Sequence, residues 1–159
     1  MFFVLMMAFV IASNVSIASD VTDERIQYEL KEGERLNNAI ILADVMWCEA
    51  VSEGRVGMLA IADVVLNRVE DKRYPNTIEE VVHQPWQFEC ITKGRRGNIN
   101  DYTYREALKL AMDVLDGKTP RITFATHYYS YVIMADNPPK WSNPKKRLGK
   151  IGNHVFYKL

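Results

Sequence analysis

Glu49 follows Val45, Met46, Trp47 and Cys48 and precedes Ala50 and Val51, so its carboxyl group keeps apolar company. Apolar surroundings disfavour the charged form and lift a glutamate above its usual pKa of about 4.3. A general acid working near neutral pH requires that shift. On a solvated helix edge the same residue would do no chemistry. Glu53 lies four residues on and shares the face of Glu49 if the helix continues. It is either a second carboxylate for the reaction or a solvated, helix-capping residue. Glu89 is a third carboxylate to weigh, beside Gln87-Phe88. The cysteines Cys48 and Cys90 either remain thiols or form one disulfide in an oxidising compartment. Paired with His83, His127 or His154 they would give cysteine–histidine catalysis, for which the count alone is weak support. No spacing suggests a metal site, and no cofactor is expected.

The elements that must position these groups read mainly as helices. Leu36–Val51 predicts a helix with Leu36, Ile40, Ala43, Trp47 and Ala50 on one stripe, apolar over most of its circumference and therefore central. Gly54 and Gly57 loosen the chain after it. Met58, Ile61, Ala62, Val65 and Val69 predict an amphipathic second helix with Asn67 and Arg68 on its last turn. Thr77-Ile78-Glu79-Glu80 has the capping-box pattern of a short helix that Pro85 stops. Thr103-Tyr104-Arg105-Glu106 has the same pattern and opens a helix with Ala107, Leu108, Ala111, Met112 and Leu115 inward, ended by Asp116-Gly117. Residues 121–159 are rich in aromatic and β-branched side chains and predict irregular structure with one short hairpin wrapped over the helices.

The chain has 159 residues, 48% of them apolar, which suffices for a single core. Basic and acidic residues balance at twenty each but are unevenly placed. Residues 1–80 carry seven Lys/Arg against fourteen Asp/Glu, and residues 81–159 thirteen against six. A basic C-terminal half suits an anionic polymer, or the two halves simply face each other. Nucleic acid is not the expected partner, because the basic residues lack an interleaved stacking pattern. Residues 1–18 carry no charged side chain, and Ser16-Ile17-Ala18 suits an export-signal cleavage site after Ala18. An uncleaved membrane anchor, giving transient membrane association, is the second reading. Residues 19–35 read as a charged linker or short exposed helix and residues 36–159 as the folded domain.

Seven motifs then occur in order: Glu49-Ala50-Val51-Ser52-Glu53, Asn67-Arg68, Pro75–Val82, Gln87-Phe88, Thr126–Tyr129, Pro139-Lys140-Trp141 and Ile151–Tyr157. Together they resemble the SleB/CwlJ family of cell wall hydrolases, over roughly residues 37–157. The resemblance implies a mainly α, single lysozyme-like (α+β) catalytic domain that cleaves the glycan strand of peptidoglycan, with Glu49 as the essential acid. It also implies Gln87, Phe88, His127, Tyr128 and Trp141 at the saccharide cleft, and Glu89 is expected there because it adjoins Gln87-Phe88. Glu53, Asn67, Arg68 and His154 are implied as support, with Asn67-Arg68 behind the helix that carries Glu49. Here Val51 and Ser52 stand where the family commonly has arginine and glycine, and Glu89 where it commonly has serine.

One carboxylate suffices for lytic transglycosylation, in which the sugar's own C6 hydroxyl closes a 1,6-anhydro ring. A hydrolytic muramidase or glucosaminidase would need a second carboxylate, Glu89 or Glu53. A non-catalytic wall-binding or virion structural protein is the alternative of another class. Trp86, Tyr128, Tyr129, Tyr131 and Trp141 are candidates to stack on sugar rings, whereas Trp47 reads as core. The expected enzyme is an exported monomer acting on peptidoglycan glycan strands.

Overall fold

The computed structural model describes the backbone of residues 3–159 and the side chains of residues 24–159. The export-segment reading of residues 1–18 concerns side chains outside that range. Helix α1 spans Phe3–Ala50. The chain divides into two units, residues 1–36 and 37–159. In the first, residues 24–34 are exposed and helical. Arg25 and Glu29 pair at 3.0 Å one turn apart on that surface. Among the described residues, no helix is long and apolar enough to cross a membrane.

The second unit is organised around α2 (Gly54–Glu70) rather than around the helix before it. Every residue from Gly57 to Val65 is buried. The sequence reading assigned α2 a single apolar stripe, but Leu59, Ala60 and Val64 fall on its other sides and are covered as well. A helix buried on all sides is the centre of its fold. Around it lie α3 (Ile78–Val82), the single turn α4 (Glu89–Thr92) and α5 (Tyr102–Leu115). The last turns of α1 bury Ala39, Leu42, Ala43, Val45, Met46 and Ala50. Leu36 and Ile40 of the expected stripe are exposed.

The caps explain where the short helices begin. Thr77 accepts from the Glu80 backbone N–H, as the pattern predicts, while the Glu80 carboxylate accepts from the Thr77 hydroxyl at 2.9 Å rather than from its backbone N–H. For α5 the cap is Asp101, not Thr103. Its carboxylate accepts both the backbone N–H and the hydroxyl of Thr103 at 2.8 Å. An ionised side chain at that end also faces the positive pole of the helix.

The aromatic C-terminal part is more regular than expected. β1 (His127–Ser130), β2 (Arg147–Ile151) and β3 (His154–Tyr157) form an antiparallel sheet in the order β1-β3-β2. β2 and β3 make the expected hairpin, with an irregularity between Arg147 and Gly149. β1 joins the other edge of β3, pairing His127 with Tyr157, Tyr128 with Phe156 and Ser130 with His154. The one-turn α6 (Tyr131–Met134) follows β1 and exposes Val132 and Ile133. The unit is therefore mainly α with one small sheet.

Candidate active site

Glu49 sits on the last turn of α1, half-buried. The Tyr128 hydroxyl donates to its Oε2 at 3.1 Å, and the Cys90 backbone N–H lies near enough to the same carboxyl group to favour its charged form. Desolvation by burial nevertheless dominates and holds the Glu49 carboxyl above the usual carboxylate range. The two donors pull the other way, and the neighbouring charge of Glu89 pushes it up further. Tyr128 itself is kept protonated, its pKa raised well above 10 by burial and by Glu49. Burial thus favours the protonated Glu49, and the Tyr128 hydroxyl stabilises the carboxylate once the proton has left.

Strand alternation decides which aromatic residues join Glu49. Tyr128 and its cross-strand partner Phe156 lie on one face, with ring centroids 5.8 Å apart, and His154 meets Tyr128 edge-on at 5.1 Å. Phe88 closes the group from the helical side, 6.4 Å from Tyr128. His127 and Tyr129 point to the opposite face. Trp141 packs there against His127, Tyr129 and Tyr157 at 5.1, 6.1 and 5.6 Å. Tyr128 and Trp141, both expected at the cleft, are thus separated by the sheet. The His127 imidazole is pushed down to about 4 by burial and by the cations Arg68 and Arg73, so it is neutral at physiological pH.

Phe88 was expected to touch substrate, yet it is fully buried. Its ring lies between Tyr128 and the Arg68 guanidinium, whose carbon is 5.4 Å from the ring centroid. Gln87 and Glu89 on either side are exposed, and Glu89 pairs with Lys93 at 2.6 Å. Trp86 is 88% exposed and adopts a left-handed backbone with φ of 65°. That conformation is costly for a bulky residue.

Glu53 is neither solvated nor a cap. Its side chain is 5% exposed and faces His154 Nδ1 at 3.9 Å. As the residue before α2 it makes no side-chain capping bond. A Cβ at Gly57 would lie 2.2 Å from the Glu53 Cβ, and one at Gly152 would lie 2.5 Å from its Cγ. Two glycines therefore make the space that holds this carboxylate. Burial lowers the pKa of His154, with Glu53 opposing.

Asn67 and Arg68 do not brace the helix of Glu49 directly. The Asn67 amide donates to the carbonyls of Thr123 and Ala125 at 3.2 and 2.8 Å, and Arg68 Nε donates to that of Thr126 at 2.7 Å. They fix the segment that enters β1, and through it the position of Tyr128. Sequence reasoning missed two carboxylates with similar work. Asp63 accepts the backbone N–H groups of Ile122 and Thr123 at 2.7 and 2.9 Å. Asp44 accepts that of Gly97 at 2.8 Å. Both sit inside apolar runs, Leu42–Val45 and Ile61–Val64. A carboxylate there must find donors, and that was the available signal.

Comparison with known proteins agrees with this architecture. The Cell Wall Hydrolase family model matches residues 52–157, beginning just after Glu49. A spore cortex-lytic enzyme of Halalkalibacterium halodurans is 29% identical over 143 residues, covering 87% of this chain and 41% of the relative. The chain therefore spans less than half the length of that protein. Two solved structures each superpose with a TM-score of 0.62 at 28% identity over 77% of this chain. They are the catalytic domain of the Bacillus cereus SleB protein, 90% covered, and that of the germination-specific lytic transglycosylase SleB from Bacillus anthracis, 94% covered. With two thirds of its length matched by the family model and its fold shared with these catalytic domains, the chain belongs to the Cell Wall Hydrolase family.

Proposed function

We propose that the protein degrades peptidoglycan by cutting its glycan strands as a lytic transglycosylase, with Glu49 as the single acid and base. The observation that carries this reading is the Glu49 carboxyl group, lifted by burial and held between the Tyr128 hydroxyl and the Cys90 N–H. Protonated Glu49 gives its proton to the glycosidic oxygen as the bond from C1 to that oxygen breaks. The resulting carboxylate, stabilised by the same two donors, takes the proton of the sugar's C6 hydroxyl. The C6 oxygen closes on C1, and Glu49 ends the cycle protonated.

The name of the Bacillus anthracis structure, a lytic transglycosylase, supports the same chemistry. So does the state of the other carboxylates. Glu53 is shut away behind His154, and exposed Glu89 is paired with Lys93. Hydrolysis by a muramidase-type or glucosaminidase-type route would recruit Glu89, whose charge is felt at Glu49. In this reading exposed Gln87, Glu89 and Trp86 contact the saccharide, and Phe88, His127 and Trp141 pack behind. Glu53, Asn67, Arg68 and His154 support the site. The substrate lies outside the cytoplasmic membrane, and the Cys48–Cys90 disulfide suits an exported protein. A non-catalytic wall-binding role gives no account of a carboxyl group poised in this way.

Mass spectrometry of muropeptides released from purified sacculi tests the reading. The wild-type protein is expected to release fragments ending in 1,6-anhydro-N-acetylmuramic acid, and Glu49→Gln none. Reducing ends would replace transglycosylation by hydrolysis. Binding to sacculi without any release would leave the wall-binding role.

A further inference from the structure

The Cys48–Cys90 disulfide closes around the candidate acid. One end, Cys48, directly precedes Glu49 in α1, and the other, Cys90, supplies the backbone N–H that meets the Glu49 carboxyl group. The two Cα atoms are 6.3 Å apart and 42 residues apart in the chain. Cys90 belongs to α4, a single turn of four residues. One turn has too few internal hydrogen bonds to hold itself in place. Phe88 and Ile91 anchor α4 in the core, but Gln87, Glu89 and Lys93 around them are exposed. The core of α1 beside Glu49 is formed by the fully buried Val45, Met46 and Ala50, with both cysteines only partly buried against it.

We propose that the Cys48–Cys90 disulfide is a positioning device for Glu49. It ties the one-turn α4 to the last turn of α1, so that the Cys90 N–H stays on the carboxyl group through the reaction. The rate of glycan cleavage then depends on the oxidation state of this pair, whereas the fold does not. The proposal rests on Glu49 being the acid. On reduction, a dithiol reagent is oxidised to its own disulfide, and Cys48 and Cys90 each take up one electron and one proton as the S–S bond breaks. α4 is then held by non-covalent packing of Phe88, Ile91 and Cys90, and the N–H moves relative to the carboxyl group. Small displacements of this kind cost up to about 100-fold in rate.

The test uses the full chain purified without reductant, soluble glycan strands as substrate, and dithiothreitol as the reagent. Iodoacetamide under denaturing, non-reducing conditions is expected to add nothing to the mass, and after reduction to label both cysteines. Reduction is expected to lower kcat by about 10- to 100-fold with little change in KM. It is also expected to move the alkaline limb of kcat/KM to higher pH, because the carboxylate has lost a donor. A purely structural cross-link would not move that limb. Reoxidation should restore both quantities, and the Cys48→Ser/Cys90→Ser double variant should match the reduced enzyme and ignore dithiothreitol. Circular dichroism should show the reduced enzyme folded at the assay temperature.

Two labelled cysteines before reduction would overturn the proposal. So would a reduced enzyme with unchanged kcat and pH profile, or a loss of activity that accompanies unfolding. An inactive Glu49→Gln beside a wild type indifferent to reduction would overturn the positioning role alone. An active Glu49→Gln would overturn both that role and the reading of Glu49.

Discussion

The two glutamates that flank the turn between α1 and α2 differ in almost everything except residue type. Glu49 is half-buried, with a hydroxyl and a backbone N–H directed at its oxygens. Glu53 has a more deeply buried side chain, held in space left by Gly57 and Gly152 and facing an imidazole. A carboxylate that can exchange a proton needs burial, donors and access at once. Glu53 has burial without access, which suits a brace. The same face of Tyr128 serves both, its hydroxyl touching Glu49 and its ring touching His154. The contrast shows that environment rather than spacing gives two carboxyl groups four residues apart different capacities for proton exchange.

The change with the largest expected effect is Glu49→Gln, which should lower the cleavage rate by about 1,000-fold or more. It should not destabilise the protein at neutral pH. A carboxyl group whose folded pKa is raised favours its protonated form in the native state. Its contribution is therefore most favourable below the ordinary value of 4.5 and is lost as pH rises through the folded value. The neutral amide escapes that loss, so the Tm of Glu49→Gln relative to wild type should grow between pH 4 and pH 8. A Tm difference that stays flat would mean that Glu49 is not perturbed by burial.

Tyr128→Phe keeps the ring packing and removes one donor. Loss of a hydrogen bond to a charged group predicts a rate lower by roughly tenfold. The alkaline limb of kcat/KM should also move up, because the carboxylate is less stabilised. Glu53→Gln should act through stability instead, costing about 1–3 kcal/mol in denaturant unfolding with a much smaller change in kcat. If it abolished activity at unchanged stability, the two glutamates would be a catalytic pair and the assignment of a brace would fail. Gly152→Ala should likewise act through stability, at about 1–3 kcal/mol, with little change in kcat. It adds a Cβ against Glu53 at a residue with φ of 54°.

Local signals in the sequence were read more reliably than distant ones. The Thr77 cap, the end of α1 near Ala50 and the stop after Leu115 follow from two or three neighbouring residues. The cap of α5 went to Asp101 because an ionised oxygen two residues upstream outcompetes a hydroxyl. Apolar content could not rank the two long helices by burial, since the centre goes to whichever is covered by neighbours distant in sequence. The sheet was the hardest part. β1 pairs with a strand more than twenty residues on, and nothing within His127–Ser130 says which alternate residues face the helices. Tyr128 and His127 were therefore grouped by their place in one motif, although alternation sends them to opposite faces. Glu49 itself was legible from its apolar neighbours, but its two donors were not, since they come from residues 41 and 79 positions away.

The sheet order carries a consequence for the timing of synthesis. The central strand, β3, is the last of the three in chain order, and β1 has no partner until β3 is made. A nascent chain emerging from the ribosome therefore carries Glu49, Cys48 and Cys90 well before Tyr128 can be seated. Glu49 acquires its hydroxyl partner only when residues 154–157 have emerged and β3 can hold β1.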